Sequence, residues 1–239
     1  MPPAKTPEHS VIVLTYTRPD LAEARVIEIE RLYASRSDVE LIVFANGPNL
    51  DARLELMGLV PSLLPNGMSF GKEIVQSNVG FGNGWNLAVL LSRGRVIHLL
   101  SDDVRVTGDF LTVVDKAALN WGGPDWIVGQ QRVMNGGWNQ FNGFTIPYLM
   151  GYYLAMPREV WNQLGGFDAE TFNPYDFEDV DFSHRAAQTN VALLTAPELP
   201  LVHELAGTIG YNPERFEHTV RMRARFAAKW GLPNLPERP

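Results

Sequence analysis

Val96-Ile97-His98-Leu99-Leu100-Ser101-Asp102-Asp103-Val104-Arg105-Val106 is the stretch whose reading decides the fold. Its first five residues make a run with the length and character of a buried strand. The run halts at Ser101-Asp102-Asp103, which puts two adjacent carboxylates at the strand's carboxyl end. Such a pair is costly there unless something positive meets it. In open α/β sheets, ligands bind in the crevice outside the carboxyl ends of the strands. A hard divalent cation such as Mg2+ or Mn2+ is the simplest positive partner, and it keeps positions open for substrate phosphates. The competing reading is an Asp-rich turn capping a helix that starts near Gly108, because Asp is an ordinary cap and turn residue.

Upstream of that strand the pattern alternates. Ser10–Leu14 reads as a buried strand ending at Thr15-Tyr16-Thr17-Arg18. Pro19-Asp20 opens a helix whose buried stripe is Ala22, Val26, Ile29 and Tyr33. Leu41–Phe44 is a second strand closed by the turn Ala45-Asn46-Gly47-Pro48, Asp51–Leu59 a short helix, and Glu73–Gln76 a third strand. Strand–helix alternation predicts a mostly parallel, Rossmann-like sheet flanked by helices. Asn78-Val79-Gly80-Phe81-Gly82-Asn83-Gly84-Trp85-Asn86 then leads into a helix over Trp85–Arg93, capped by Gly94. A helix amino terminus suits a phosphate, but the spacing is not the dinucleotide fingerprint, so a dehydrogenase fits poorly. A purely structural Gly-rich turn is the alternative.

Downstream, Phe110–Leu119 reads as a helix and Trp126–Val128 as a strand. Met134–Thr145 is an irregular excursion or hairpin, rich in aromatics and amides that suit a carbohydrate face and ordinary hairpins alike. Tyr148–Met156 reads as a strand, and Pro157–Leu164 as a short helix stopped by Gly165-Gly166. A second acidic concentration follows, with Asp168, Glu170, Asp176, Glu178, Asp179 and Asp181, where a helix over Phe177–Gln188 begins. Acidic residues in a first turn are also favoured by the helix dipole. Val191–Leu194 and Leu201-Val202-His203 are short strands. Pro213–Trp230 is a basic helix, either a solvated face or a contact to an anionic donor or acceptor.

Composition sets the bounds. The chain has 239 residues, 45% of them hydrophobic, enough for one large α/β domain. It has no cysteine, which excludes disulfides, thiolate metal sites and Cys nucleophiles. The net charge of −7 argues against a nucleic-acid backbone as partner. The polar, Pro-rich amino terminus has no signal-peptide core, and the most membrane-like run, Tyr148–Met156, is too short to span a bilayer. The expectation is a soluble, cytoplasmic protein without a transmembrane segment.

The order of these signals resembles glycosyltransferase family 2, the inverting transferases of GT-A fold. The resemblance rests on Thr15-Tyr16-Thr17-Arg18, then Asn78-x-Gly80-Phe81-Gly82-x-Gly84-x-Asn86, then Leu99-Leu100-Ser101-Asp102-Asp103, then Gly165-Gly166-Phe167-Asp168 with Phe177-Glu178-Asp179-Val180-Asp181 and Arg185. It covers roughly Val11 to Trp230 and is most specific at the GGFD and EDVD pair. The chain looks closest to the rhamnosyltransferase-like branch.

The resemblance implies a single α/β domain over 1–239. About 10–106 would form the nucleotide-sugar donor half, and about 107–230 the abutting acceptor and catalytic-base half. It implies a metal-dependent hexosyl or deoxyhexosyl transferase that moves a sugar from a nucleoside-diphosphate sugar to an acceptor hydroxyl. Thr15, Tyr16 and Arg18 fall where the base and phosphates are held, with Asn78, Gly80 and Asn86 in the Gly-rich stretch beside them. Asp102 would face the ribose, while Asp103 and the late His203 would hold Mn2+ or Mg2+. Asp179 matches the catalytic base, with Glu178 beside it. Successive helix positions do not share a face, so one of the two is expected to point inward and the other to cap or orient.

One position departs from the family. Where many members place an Asp that reads uracil, this chain has Ala45, followed by Asn46. Either Asn46 substitutes for it or the donor carries another base, such as thymine or guanine. The acceptor is left open among glycan, lipid-linked sugar, protein and small molecule. Two alternatives compete with the transferase. A sugar-phosphate nucleotidyltransferase is disfavoured because Thr15–Pro19 has no glycine. A non-catalytic nucleotide-sugar or glycan-binding module is disfavoured because Asp103, Asp179 and His203 are all present.

Overall fold

The computed structural model describes residues 6–47, 68–75, 77–130, 139–141, 144–204 and 213–233. In chain order the elements are β1 (His9–Thr15), α1 (Pro19–Tyr33), β2 (Val39–Asn46), β3 (Ser69–Val75), α2 (Phe81–Leu91), β4 (Val96–Ser101) and β5 (Val104–Val106). They continue with α3 (Phe110–Trp121), β6 (Trp126–Gly129), β7 (Gln140–Phe141), β8 (Phe144–Thr145), β9 (Tyr153–Pro157) and α4 (Arg158–Leu164). The last are α5 (Glu178–Gln188), β10 (Ala192–Thr195), β11 (Leu201–His203) and α6 (Pro213–Lys229). The helix expected over Asp51–Leu59 and residues 134–138 of the expected Met134–Thr145 excursion lie outside the described residues, while Gln140–Phe141 and Phe144–Thr145 pair as an antiparallel hairpin.

Seven strands form one sheet in the order β10-β6-β9-β4-β1-β2-β3. Every pairing is parallel except those of β9, which runs antiparallel to both β4 and β6. Side chains alternate across β1 and β2, as the strand period requires. Val11, Val13, Leu41 and Val43 pack with the α1 stripe Ala22, Val26, Ile29 and Tyr33 and with Phe110, Leu111 and Val114 of α3. Ile12, Leu14, Ile42 and Phe44 pack on the other face with Trp85, Ala88 and Val89 of α2, Trp161 and Leu164 of α4, and Phe182 and Ala186 of α5. The sheet therefore carries helices on both faces and buries nearly continuous apolar strands.

Helix α2 starts at Phe81, four residues before the position expected from the sequence, so Gly82 and Gly84 lie inside its first turns. A Cβ on Gly84 would stand 3.0 Å from Leu14 Cδ1 and 3.1 Å from Asn46 Nδ2. The glycines here let a helix lie close against the strand ends rather than make a loop flexible. The helix ends at Leu91 with Ser92 as its cap, not at Gly94. Gly94 instead lies flush against Ser10, whose Oγ would meet an added Cβ at 2.4 Å.

Tyr148–Tyr152, expected in a strand, precedes β9 as irregular chain. Because β9 runs antiparallel, this entry segment lies at the edge where β1, β2 and β4 end. A third apolar cluster, Phe141, Phe172, Phe177, Val180, Met222 and Phe226, docks α6.

Candidate active site

The carboxyl ends of β1, β2 and β4 open into a cavity of about 610 Å3. Tyr16 and Thr17 follow β1, Asn46 ends β2, and Asp102 and Asp103 follow β4 on its wall. The second half of the chain contributes His203 beside Asp103, and Gly151, Tyr175, Asp176, Glu178 and Asp179 to the rest of the lining. The two carboxylate concentrations, about 75 positions apart, thus face one space.

The Asp102-Asp103 pair does not cap a helix. Asp109 does, accepting from the Thr112 N–H at 3.1 Å. The β4 turn leads instead into β5, which pairs antiparallel with β11 so that His203 lies opposite Val104. The Glu204 N–H donates to the Asp103 carbonyl at 2.9 Å and extends that ladder. This small sheet brings His203 Nε2 to 3.4 Å from Asp103 Oδ2. The separation is long for a hydrogen bond and suits two neighbouring ligands of one small cation, each at about 2.0–2.2 Å. The His203 ring stacks on Tyr152, with centroids 4.3 Å apart, and its buried Nδ1 has no hydrogen-bond partner among the described residues. Among the described residues there is no group of three or more potential metal ligands. Asp103 and His203 nevertheless fit the habit of Mg2+-like ions, which take one or two carboxylates and complete their shell with phosphate oxygens and water.

Glu178 and Asp179 open α5 after two consecutive non-glycine residues in left-handed conformation, Asp176 (φ 71°) and Phe177 (φ 72°). A bulky residue rarely holds such a φ, and residues of this kind cluster at functional sites. Phe177 is held there by burial in the α6 cluster. Glu178 and Asp179 both line the cavity.

Their environments differ. Asp179 Oδ2 accepts from the Gly151 N–H at 2.9 Å and Oδ1 from the Val180 N–H at 2.8 Å. Gly151 permits that approach, since a Cβ on it would lie 3.0 Å from Asp179 Cβ. Burial pushes the Asp179 carboxyl up to about 6, with the two N–H donors pulling the other way. Glu178 is 4% exposed, and its Oε2 has no hydrogen-bond partner among the described residues. Burial first, then the Asp179 and Asp176 charges, hold Glu178 well above the ordinary carboxyl range. Of the two, Glu178 is therefore the harder to ionise and Asp179, held by two N–H donors, the easier.

This has a consequence for stability. Both folded-state values are raised, so the stability they contribute is full at low pH and is lost as pH rises through them. Glu178→Gln, which mimics the protonated acid, is expected to resist urea better than the wild type at pH 8, with the gap narrowing towards pH 5. Urea midpoints across that range measure it, and an unchanged gap would contradict a protonated Glu178.

The other acidic residues do different work. Asp181, fully buried, meets Arg185 Nε at 2.8 Å, Lys229 Nζ at 2.6 Å and Trp230 Nε1 at 2.9 Å. Asp168 also meets Lys229, at 2.8 Å. These two anchor α6, so part of that basic helix is committed to ion pairs inside the fold.

Of the remaining residues singled out in the sequence, Asn46 and Asn78 line the cavity. Asn46 donates to the Gly80 carbonyl (3.0 Å) and Asn78 Oδ1 (3.2 Å) and accepts from the Val79 N–H (3.0 Å), tying β2 to the Gly-rich segment. Ala45 is completely buried. Thr15 is buried, its hydroxyl donating to the Arg18 carbonyl, and Arg18 forms a bidentate pair with Asp20. Asn86 exchanges two hydrogen bonds with the Phe167 backbone, joining α2 to the Gly165-Gly166-Phe167-Asp168 turn. Thr15, Arg18, Gly80 and Asn86 are not on the cavity wall.

Sequence reasoning passed over Gly151 and Tyr175. Gly151 carried a signal, a glycine inside an apolar run, which marks close backbone approach. Tyr175 carried none.

Solved structures share this fold. Mannosyltransferase PcManGT from Pyrobaculum calidifontis, in complex with GDP-Man and Mn2+, superposes with a TM-score of 0.69 at 18% identity, covering 98% of this chain and 67% of that one. The fold is GT-A. Other GT-A structures agree. S. aureus TarS 1-349 in complex with UDP-GlcNAc gives 0.62 at 15% identity, over 92% of this chain and 66% of that one. GalNAc-T7 with UDP, GalNAc and Mn2+ gives 0.63 at 14% identity, over 94% of this chain, which spans about half of that protein (48%). No protein-family model and no curated protein sequence matches the chain. Among the described residues, no helix is long and apolar enough to cross a membrane.

Proposed function

We propose that the protein is a metal-dependent inverting glycosyltransferase of the family 2 type, within its rhamnosyltransferase-like branch, moving a sugar from a nucleoside-diphosphate donor to an acceptor hydroxyl. One observation carries this reading: Asp103 and His203, 3.4 Å apart, line the same cavity as the Glu178-Asp179 carboxyl pair. The neighbouring structures support the donor class, since their bound groups include GDP-Man, UDP-GlcNAc and UDP, with Mn2+ in two of them.

The residues divide the work. Tyr16, partly exposed beside Gly47, offers a ring face to the nucleobase, and Asp102 lies next along the same wall for the ribose. Asp103 and His203 would hold the cation, which when bound neutralises the charge that builds on the departing diphosphate. Asp179 is kept in place by two backbone N–H groups and takes the acceptor proton as its oxygen attacks. The base pair and the cation-holding residues line one cavity, as a transfer that brings acceptor and diphosphate to the same sugar carbon requires.

The donor base follows from β2. Ala45 is buried and has no polar group, and the Asn46 amide is occupied by residues 78–80. A uracil-reading carboxylate is therefore absent from this position, and UDP should not be strongly preferred over GDP or dTDP. Competition among the three diphosphates, beside transfer from a panel of their sugars with Mn2+ or Mg2+, tests donor class and base together. Release of nucleoside diphosphate with glycosylated product is the expected outcome. Pyrophosphate release would indicate nucleotidyl transfer, and a preference for UDP of about a hundredfold, near 2.7 kcal/mol, would show that another residue reads uracil.

A further inference from the structure

The wall formed by Tyr175–Asp179 is more specialised than a general base requires. Three carboxyl groups, Asp176, Glu178 and Asp179, line the cavity within four residues. The strained Asp176 and Phe177 backbone presents them, and Asp176 Oδ2 is oriented by the Thr219 hydroxyl at 2.6 Å. Glu178 adds a nearly fully buried carboxyl whose Oε2 lacks a hydrogen-bond partner among the described residues and which lies on the cavity wall. That partnerless carboxyl wants a hydrogen-bond partner, the neighbouring carboxyl oxygens are acceptors, and hydroxyl groups, which both donate and accept, suit such a set.

Tyr175 supplies the apolar part. One side of its ring packs on His218, with centroids 4.4 Å apart, and the residue lines the cavity. Sugar C–H faces pack on such rings. The electrostatics exclude the obvious rival. Among the described lining residues the cationic or potentially cationic groups are Arg215 and His203. His203 lies beside Asp103, and Arg215 stands one helical turn before Thr219, whose hydroxyl meets Asp176. An acceptor bearing phosphate or carboxylate beside its reacting hydroxyl would meet like charge at Asp176 and Asp179.

We propose that the Tyr175–Asp179 wall is a subsite for a neutral, polyhydroxylated acceptor, a carbohydrate unit, and that Asp176 selects against anionic ones. This rests on the glycosyltransferase reading and names the acceptor class within it. The test uses matched probes: neutral methyl glycosides (gluco, galacto, manno, rhamno, fuco and N-acetylglucosamine forms) beside methyl glucuronoside, methyl galacturonoside and mannose 6-phosphate. Binding is measured by ligand-observed NMR on the full chain with Mn2+ and GDP or UDP present.

At least one neutral glycoside should bind about tenfold more tightly than its charged counterpart. Asp176→Asn, which tolerates the left-handed backbone, should shrink that ratio to about threefold or less, and Tyr175→Ala should weaken the neutral probe without changing the ratio. Equal or tighter binding of the charged probes, or binding of none of the panel, would overturn the proposal. Nucleotide binding is read in the same samples: its failure would count against the transferase reading, while intact nucleotide binding with wrong acceptor selectivity would count against this inference alone.

Discussion

Asp179→Asn is expected to lower the transfer rate by about 10²–10⁴-fold, the usual worth of a general base, while nucleotide and metal affinity stay near wild type. Asn keeps the side-chain shape and can still accept from one of the two N–H groups that hold Asp179, those of Gly151 and Val180. It cannot take a proton. With the carboxyl pushed up to about 6, Asp179 is mostly ionised at pH 7 yet basic enough to accept a proton from a hydroxyl under attack. Activity requires the ionised form, so the wild-type rate should fall as pH drops through about 6, and the variant should lose that limb. Glu178→Gln should cost less, because it leaves Asp179 and the two N–H groups that hold it in place.

Single-turnover rates beside nucleotide titrations separate chemistry from binding. Wild-type transfer by Asp179→Asn would remove it from the base role and turn attention to Asp176 or Glu178, the other carboxyls of that wall. Asp181 is no substitute: it is buried against Arg185, Lys229 and Trp230.

Asp103→Ala is expected to weaken Mn2+-dependent nucleoside diphosphate binding by about 100-fold or more, matching the several kcal/mol that a charge-neutralising cation supplies. The fold should survive. The link from Asp103 to Glu204 runs through the backbone, and the β5–β11 pairing needs no Asp103 side chain. His203→Ala should weaken binding less, since it removes one ligand and the Tyr152 stacking but leaves the carboxylate. Calorimetric titration of nucleotide with and without Mn2+ checks both variants, and wild-type affinity in Asp103→Ala would remove Asp103 from the cation site.

The parallel sheet was legible because its strands are apolar on both faces and end abruptly in polar residues. Asp102-Asp103 after Leu100 and Thr15-Tyr16 after Leu14 showed which edge carries the site. The α1 stripe was equally plain, since Ala22, Val26, Ile29 and Tyr33 follow one helical face. The start of α2 was not legible: Gly82 and Gly84 depress helix propensity, and only tertiary packing on Leu14 and Asn46 explains them. Tyr148–Tyr152 read as strand because apolar residues continue into β9, whereas Gly151 marks where the chain turns to meet Asp179.

Nor did the acidic run Asp168–Asp181 reveal its division of labour. Lys229, which meets both Asp168 and Asp181, lies 48 positions beyond the latter, and nothing local to α5 announces it. That Glu178 and Asp179 line one cavity with Asp103 is a tertiary fact that helical periodicity does not contain.

The central claim is that the two carboxylate clusters share one nucleotide-sugar site built around a cation. Titrating UDP, GDP and dTDP into the wild-type protein with Mn2+, and again after chelation, tests it most directly. At least one diphosphate should bind with Mn2+ and lose most of that affinity when the metal is removed. Binding that is indifferent to Mn2+, or no binding of any of the three, would contradict it.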